Sequence, residues 1–412
     1  MPRSQVLYSA LALTAALCAN TASAQSKAPS DYLYLWSGSA DTTKPDFLAV
    51  LDVRPGSARY GALLATVPVP GTRNGPHHTE HEMPADGRLF ANGFAGGKTF
   101  IFDMTDRAHP KLDGQFADIA GMMHPHSFLR LPNGNVLATF QMQHAAAGMA
   151  PGGLAELTNR GALVRSSSAN RPGVDQRIRP YSAVIVPALD RIVTTTTDMD
   201  GTAAIQAVQV WRLSDLRLLH TFDLPHGPRG DEGAFTAEPR LLADGRTVLV
   251  STFNCGLYLL RGLDGATPSG QLVSSFPEKK GTSCAIPVIA GHYYLVTVPA
   301  WNAVVSLDIA NPAKPREVAR LTLGTDDTPH WIAIEPNHRR VVITGYAALR
   351  QRVMMANFDE STGRITLDTL FRDRSAREPG VRMDNKTWPH GGNAAAAPHG
   401  AVFSTVPEGG RP

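Results

Sequence analysis

The residues with the most chemical potential in this chain are histidines, fourteen of them, and their placement is uneven. A neutral imidazole keeps a lone pair on one ring nitrogen and ligates copper, iron or zinc. His77 and His78 stand together in GPHHTEHEMP, and His124 and His126 lie in MMHPHSFLRLP. His330 lies in DTPHWIAIEP, and His399 opens the terminal HGAVFS. His78, His126 and His330 share an offset, each standing six residues before the proline of the following turn: Pro84, Pro132 and Pro336. Other chemical signals fail. Gly96-Gly97-Lys98-Thr99 has the wrong glycine spacing for a phosphate loop and precedes no helix. Pro84 interrupts any helical HExxH starting at His81, and neither GxSxG nor CxxC occurs.

Histidines so far apart can share an ion only if the chain keeps returning to one axis, which requires a repeat. One pattern does recur, a strand, a polar turn and a second strand. Its copies start at Phe47, Lys98, Gly153, Ala207, Gly256, Ala303 and Arg352, and the copy at Gly153 is the weakest. Between copies lies a second pair of strands, as in HSFLRLPNGNVLATF, PRLLADGRTVLVSTF and HWIAIEPNHRRVVITG. Alternation and β-branched residues dominate, and helical periodicity is nearly absent. Seven four-stranded units predict an all-β, seven-bladed propeller. DYLYLWSG from Asp31 reads as a second strand lacking a first, and HGAVFS as a first strand with nothing after it. Their pairing closes the ring with strands from both termini and removes exposed sheet edges. Two separate sandwiches are the competing arrangement.

First strands line the channel of a propeller, so their leading residues form a ring. Around it stand His399, His77 with His78, His124 with His126, Arg179-Pro180-Tyr181, Glu238, Ser283-Cys284 and His330. Four histidine-bearing blades are consecutive, which predicts a shared metal site. His81, His390 and Glu238 are candidates to orient the ligands, since a ligating imidazole usually bonds a carboxylate or carbonyl through its other nitrogen. Glu238 and Tyr181, across the channel, are candidate proton carriers. His109, His144, His220, His226, His292 and His338 fall in turns or on strand exteriors and read as structural. A polar channel without metal is the plainer reading of the ring.

The N-terminus sets the compartment. Arg3, the apolar run Val6 to Ala19 and Ala22-Ser23-Ala24 form a signal-peptide pattern over residues 1–24, which leaves 25–412 as one propeller domain. The run is too short to span a bilayer, and no twin arginine precedes it, so export as an unfolded chain with metal loading outside the cytoplasm is expected. The formal charge of +3 becomes +2 without Arg3, too little to argue for nucleic acid or a membrane surface as partner. Of the three cysteines, Cys18 leaves with the signal peptide. Cys255 and Cys284 then form a disulfide more readily than a free pair or a metal site.

The His77-His78 pair, His124-Pro125-His126-Ser127, TPHW around His330 and the terminal WPHG…PHGAVFS resemble the selenium-binding protein family, which includes the bacterial methanethiol oxidases. The resemblance implies a periplasmic propeller with copper bound by channel histidines. It also implies oxidation of methanethiol by dioxygen to formaldehyde, hydrogen sulfide and hydrogen peroxide. Matched position by position, the metal role goes to His78 with His77, His126 with His124, His330 and His399. The family's cysteine-bearing N-terminal segment is not found here, and the chain is shorter than well-known members. A copper-binding propeller without turnover, an iron oxygenase with four histidines and a metal-free binding propeller are the alternatives.

Overall fold

Seven antiparallel sheets stand in a ring in the computed structural model of the protein. It describes residues 28–146, 148–199, 201, 203–276, 283–345, 350–384 and 386–405. The segment 1–24, read above as a signal peptide, lies outside the described residues, as do the extreme ends of the domain at 25–27 and 406–412. The fold is a seven-bladed β-propeller. Its first blade runs from the axis outward as Ala396–Phe403, Tyr32–Ser39, Phe47–Asp52 and Leu63–Pro68. The other inner strands are Pro76–Thr79, Met122–Arg130, Pro180–Val186, Thr236–Leu241, Pro287–Ala290 and Trp331–Ile334. Each leads a four-stranded meander, and the seventh blade adds Val381–Arg382 beside Arg352–Asp359.

The patterning explains the layering. Middle strands are covered on both faces by neighbouring blades and so read as unbroken apolar runs, such as the fully buried FLAVLD of Phe47–Asp52. Outer strands face solvent on one side and alternate, as KLDGQF does in Lys111–Phe116. Aromatic side chains cement the seams. Trp36 of the first blade is fully buried, packs 5.5 Å from Phe100 and 5.7 Å from Phe102 of the second, and donates its indole N–H to the Asn92 carbonyl at 2.7 Å. Cys255, in the turn before Gly256–Arg261, is disulfide-bonded to Cys284 at the head of the sixth blade. That bridge ties the fifth blade to the sixth and closes a 29-residue separation, on the order of 3 kcal/mol in the chain-entropy picture. Among the described residues no helix is long and apolar enough to cross a membrane.

Both ends of the chain close the ring. Leu33, Tyr34 and Leu35 pair with Phe403, Val402 and Ala401. Ser404 donates its N–H to the Tyr32 carbonyl at 2.9 Å, and the Ser30 hydroxyl donates to the Ser404 carbonyl at 2.7 Å. Beneath this seam a buried ion pair joins Arg340 to Glu335. Glu335 also accepts the Ser30 N–H at 2.6 Å, and Arg340 donates to the Ser30 carbonyl at 3.2 Å. Removing one member strands a buried charge, so Arg340→Met is expected to cost about 3–5 kcal/mol. The double variant Arg340→Met/Glu335→Leu leaves no lone charge and should recover part of that loss in calorimetric unfolding. A double variant as unstable as the sum of the two single ones would contradict this role for the pair.

Candidate metal centre

The inner strands are irregular at the positions that carry chemistry. The hydrogen-bond ladder to the second strand breaks between Pro76 and Thr79, Pro125 and Phe128, Pro180 and Ala183, and Thr236 and Pro239. In the closing blade it breaks opposite Pro398 to Ala401. These intervals contain His77 and His78, His126, Tyr181, Glu238 and His399. A bulge re-aims side chains and bends the strand. Proline promotes the break because it has no N–H to give to the ladder. A proline directly precedes His77, His126, Tyr181, His330 and His399.

Each break frees backbone groups that need partners. Side chains of the second strands supply them and reach across to the next blade. Asn92 accepts the His78 N–H at 2.6 Å through its side-chain carbonyl and donates its amide to the Pro125 carbonyl at 3.2 Å. Thr139 accepts the Ser127 N–H at 3.0 Å and donates to the Tyr181 carbonyl at 2.9 Å. Thr195 accepts the Ser182 N–H at 3.2 Å and donates to the Ala237 carbonyl. Thr297 donates to the His330 carbonyl at 2.7 Å, and Thr344 to the His399 carbonyl at 2.6 Å. These clamp residues do not stand out in the sequence. The repeated proline before an inner-strand histidine or tyrosine was the available signal, although Pro389-His390 and Pro225-His226 carry the same dipeptide outside the site.

Five of the six candidate ligands converge. Donor atoms of His77, His78 and His126 lie within 4.8 Å of one another, and so do those of His77, His330 and His399. The His77 and His78 rings stack in parallel at 4.1 Å, and His77 lies 4.2 Å from His399 and 4.9 Å from His126. His126 is fully buried and His330 is half-buried. His124 does not join them. Its backbone turns into the left-handed region (φ 54°), and its ring sits 5.3 Å from Phe94, beside the Phe94 carbonyl. His390 stands apart as well, bonded to the Thr66 hydroxyl at 2.7 Å and packed on Phe47. His109, His144, His220, His226, His292 and His338 are exposed or half-exposed and lie outside the cluster.

The donor chemistry fits a metal ion. Among the described residues His77 Nδ1, His78 Nδ1 and His126 Nε2 are buried and have no hydrogen-bond partner. An orphaned buried nitrogen costs about 1–3 kcal/mol, which a coordinated cation would offset. His126 places Nδ1 3.1 Å from the Ser127 hydroxyl, and His78 places Nε2 3.3 Å from the Tyr181 hydroxyl. With the proton on those nitrogens, the lone pairs of His126 Nε2 and His78 Nδ1 point free, the arrangement usual for ligating imidazoles. Burial pushes His126 and His330 down to about 4, and holds His77, His78 and His399 well below the ordinary histidine value. The imidazoles are therefore neutral at pH 7, and each already has a lone pair to offer a metal.

One anion faces them. Glu238 is fully buried, which works to raise its pKa, yet Arg240, His81 and Ser182 together bring it down to about 2. Arg240 donates to it at 2.6 Å and Ser182 at 2.8 Å, and its Oε1 has no partner among the described residues. Its charge acts on His126 and His330 in the direction that favours positive charge there. His81 stacks on Trp331 at 4.7 Å and accepts from Arg240 at 3.3 Å, 6.4 Å from the His78 ring. Tyr181 packs 4.0 Å from His126.

Fold and site together define a propeller whose axis carries a buried histidine cluster able to hold a metal. A search of protein-family models finds no match. The chain is 36% identical over 141 residues to a methanethiol oxidase of Hyphomicrobium, which is 32% of this chain and 31% of that protein. It is also 36% identical over 119 residues to a methanethiol oxidase of Ruegeria pomeroyi, 26% of each chain. The match thus spans about a third or less of these curated relatives. Among solved structures, a hypothetical selenium-binding protein of Sulfolobus tokodaii superposes with TM-score 0.73 at 17% identity, over 91% of this chain and 94% of that one. A periplasmic gluconolactonase of Pseudomonas aeruginosa gives TM-score 0.63 at 13% identity, over 91% and 99%. These two share the fold. The two sequence matches are consistent with the resemblance to the selenium-binding protein family, which includes methanethiol oxidases.

Thr344→Val keeps the side-chain volume but removes the bond to the His399 carbonyl, and should weaken metal binding about 10–100-fold, the usual effect of losing a group that orients a ligand. Competition with a chromophoric chelator measures it, and unchanged affinity would show that the clamp does not position His399.

Proposed function

We propose that this protein is a methanethiol oxidase-like oxidoreductase, exported to the periplasm, which oxidises a small thiol with dioxygen at copper held by the histidine cluster. The observation that carries the reading is the pair of neutral histidine triads at the propeller axis, buried except for His330. The partial identity to methanethiol oxidases supports the substrate class. Methanethiol, dioxygen and water would give formaldehyde, hydrogen sulfide and hydrogen peroxide, with two electrons passing from the thiol carbon to dioxygen.

Bound copper would supply Lewis acidity toward the thiol and a one-electron redox couple. His77, His78, His126, His330 and His399 would hold it, and the half-buried His330 marks the more open side. The ionised Glu238 carboxylate, held in place by Arg240 and Ser182, can accept a hydrogen bond from the thiol and stabilise positive charge at the centre. Tyr181, beside His78 and His126, can pass a proton along the channel wall. Trp331 and the His81 ring stacked on it exclude water from the His78 side.

The test uses protein purified from the periplasm. It should contain copper by mass spectrometry and release peroxide and formaldehyde from methanethiol. His126→Gln and His330→Gln should each lower bound copper and reduce turnover at least about 100-fold. Full copper in both variants would contradict the assignment. Copper without peroxide release would indicate a copper-binding propeller, and iron in its place would indicate a four-histidine iron oxygenase.

A further inference from the structure

The cluster is not one set of ligands but two. Donor atoms meet within 4.8 Å in the set His77, His78, His126 and in the set His77, His330, His399, and no larger set satisfies the same limit among the described residues. Metal–nitrogen bonds are about 2.0–2.1 Å, so nitrogens on one ion lie no more than about 4.2 Å apart. The ring contacts divide the same way. His126 lies against His77 and His78 at 4.9 and 4.5 Å, whereas His330 lies against His399 at 4.7 Å. His77 alone belongs to both sets.

We propose that the centre takes two copper ions, one in each triad, with the His77 ring bridging them through its two nitrogens. This rests on the copper reading above and deepens it. Three nitrogens suit copper(I), which accepts three-coordinate sites. Bridging requires His77 to give up its ring proton. Two copper(I) ions with one imidazolate then add the same net charge as one copper(I) on neutral rings, so burial does not forbid the pair. Electron counting favours it too. Thiol oxidation yields two electrons, dioxygen takes two on reduction to peroxide, and each copper carries one between its +1 and +2 states.

The experiment loads the full exported protein with copper(I) without oxygen, desalts it and counts copper per chain by mass spectrometry. Two per chain is expected in the wild type, one in His126→Gln, one in His330→Gln and less than one in His77→Gln. After oxidation, the integrated paramagnetic resonance signal should fall below the copper count, because an imidazolate bridge couples the spins. One copper in the wild type, lost in either single variant, overturns the two-ion proposal while leaving the copper reading intact. No copper overturns both. Two coppers persisting in His126→Gln, or a signal equal to the copper count, also overturns the shared arrangement. The wild-type count and signal stand whether or not a variant folds, and circular dichroism identifies any variant that does not.

Discussion

The site depends on a broken hydrogen-bond ladder. A regular strand turns successive side chains to opposite faces, so His77 and His78 could not both look into the channel. The bulge between Pro76 and Thr79 lets them, and their rings stack in parallel. A break leaves backbone groups unpaired, and buried groups of that kind must be satisfied. Asn92, Thr139, Thr195, Thr297 and Thr344 satisfy them, and most do so by reaching the inner strand of the next blade. The same bonds that repair each ladder therefore fix the spacing between blades, and with it the distances among the histidines.

Burial then decides the electrostatics. Inside the ring, charge is costly unless paired, and the imidazoles remain neutral. Glu238 remains an anion because Arg240, Ser182 and His81 surround it, and its unpartnered oxygen leaves a negative charge facing the cluster. A neutral donor set opposite a fixed anion accommodates a cation and offers little to an anion. The closure of the ring by strands from both termini matters for the same reason, since His399 reaches the axis only when Ala396–Phe403 pairs with Tyr32–Ser39.

Much of the fold was legible in the sequence. The runs DYLYLWSG and HGAVFS pair as the alternation suggested, and the seven inner strands begin within a few residues of the positions that the blade repeat marked as leading them. Periodicity survives in a sequence because it is repeated. The site was less legible, since it rests on departures from periodicity. Nothing in MHPH tells that the left-handed backbone at His124 sends its ring to Phe94 while Pro125 turns His126 inward. Asn92, in ANGF, reads as a turn residue, yet it bonds one blade to the next. The sixth blade, headed by Ser283-Cys284, spends its cysteine on a disulfide with Cys255.

Five histidines from four consecutive blades meet at the propeller axis, where they could hold a metal. Anomalous diffraction at the copper edge, on crystals of the copper-loaded protein, tests it most directly. Anomalous density is expected at the axis, about 2.0–2.1 Å from nitrogens of His77 and its neighbours. A channel without anomalous density, or density confined to surface histidines such as His109 or His226, would contradict it.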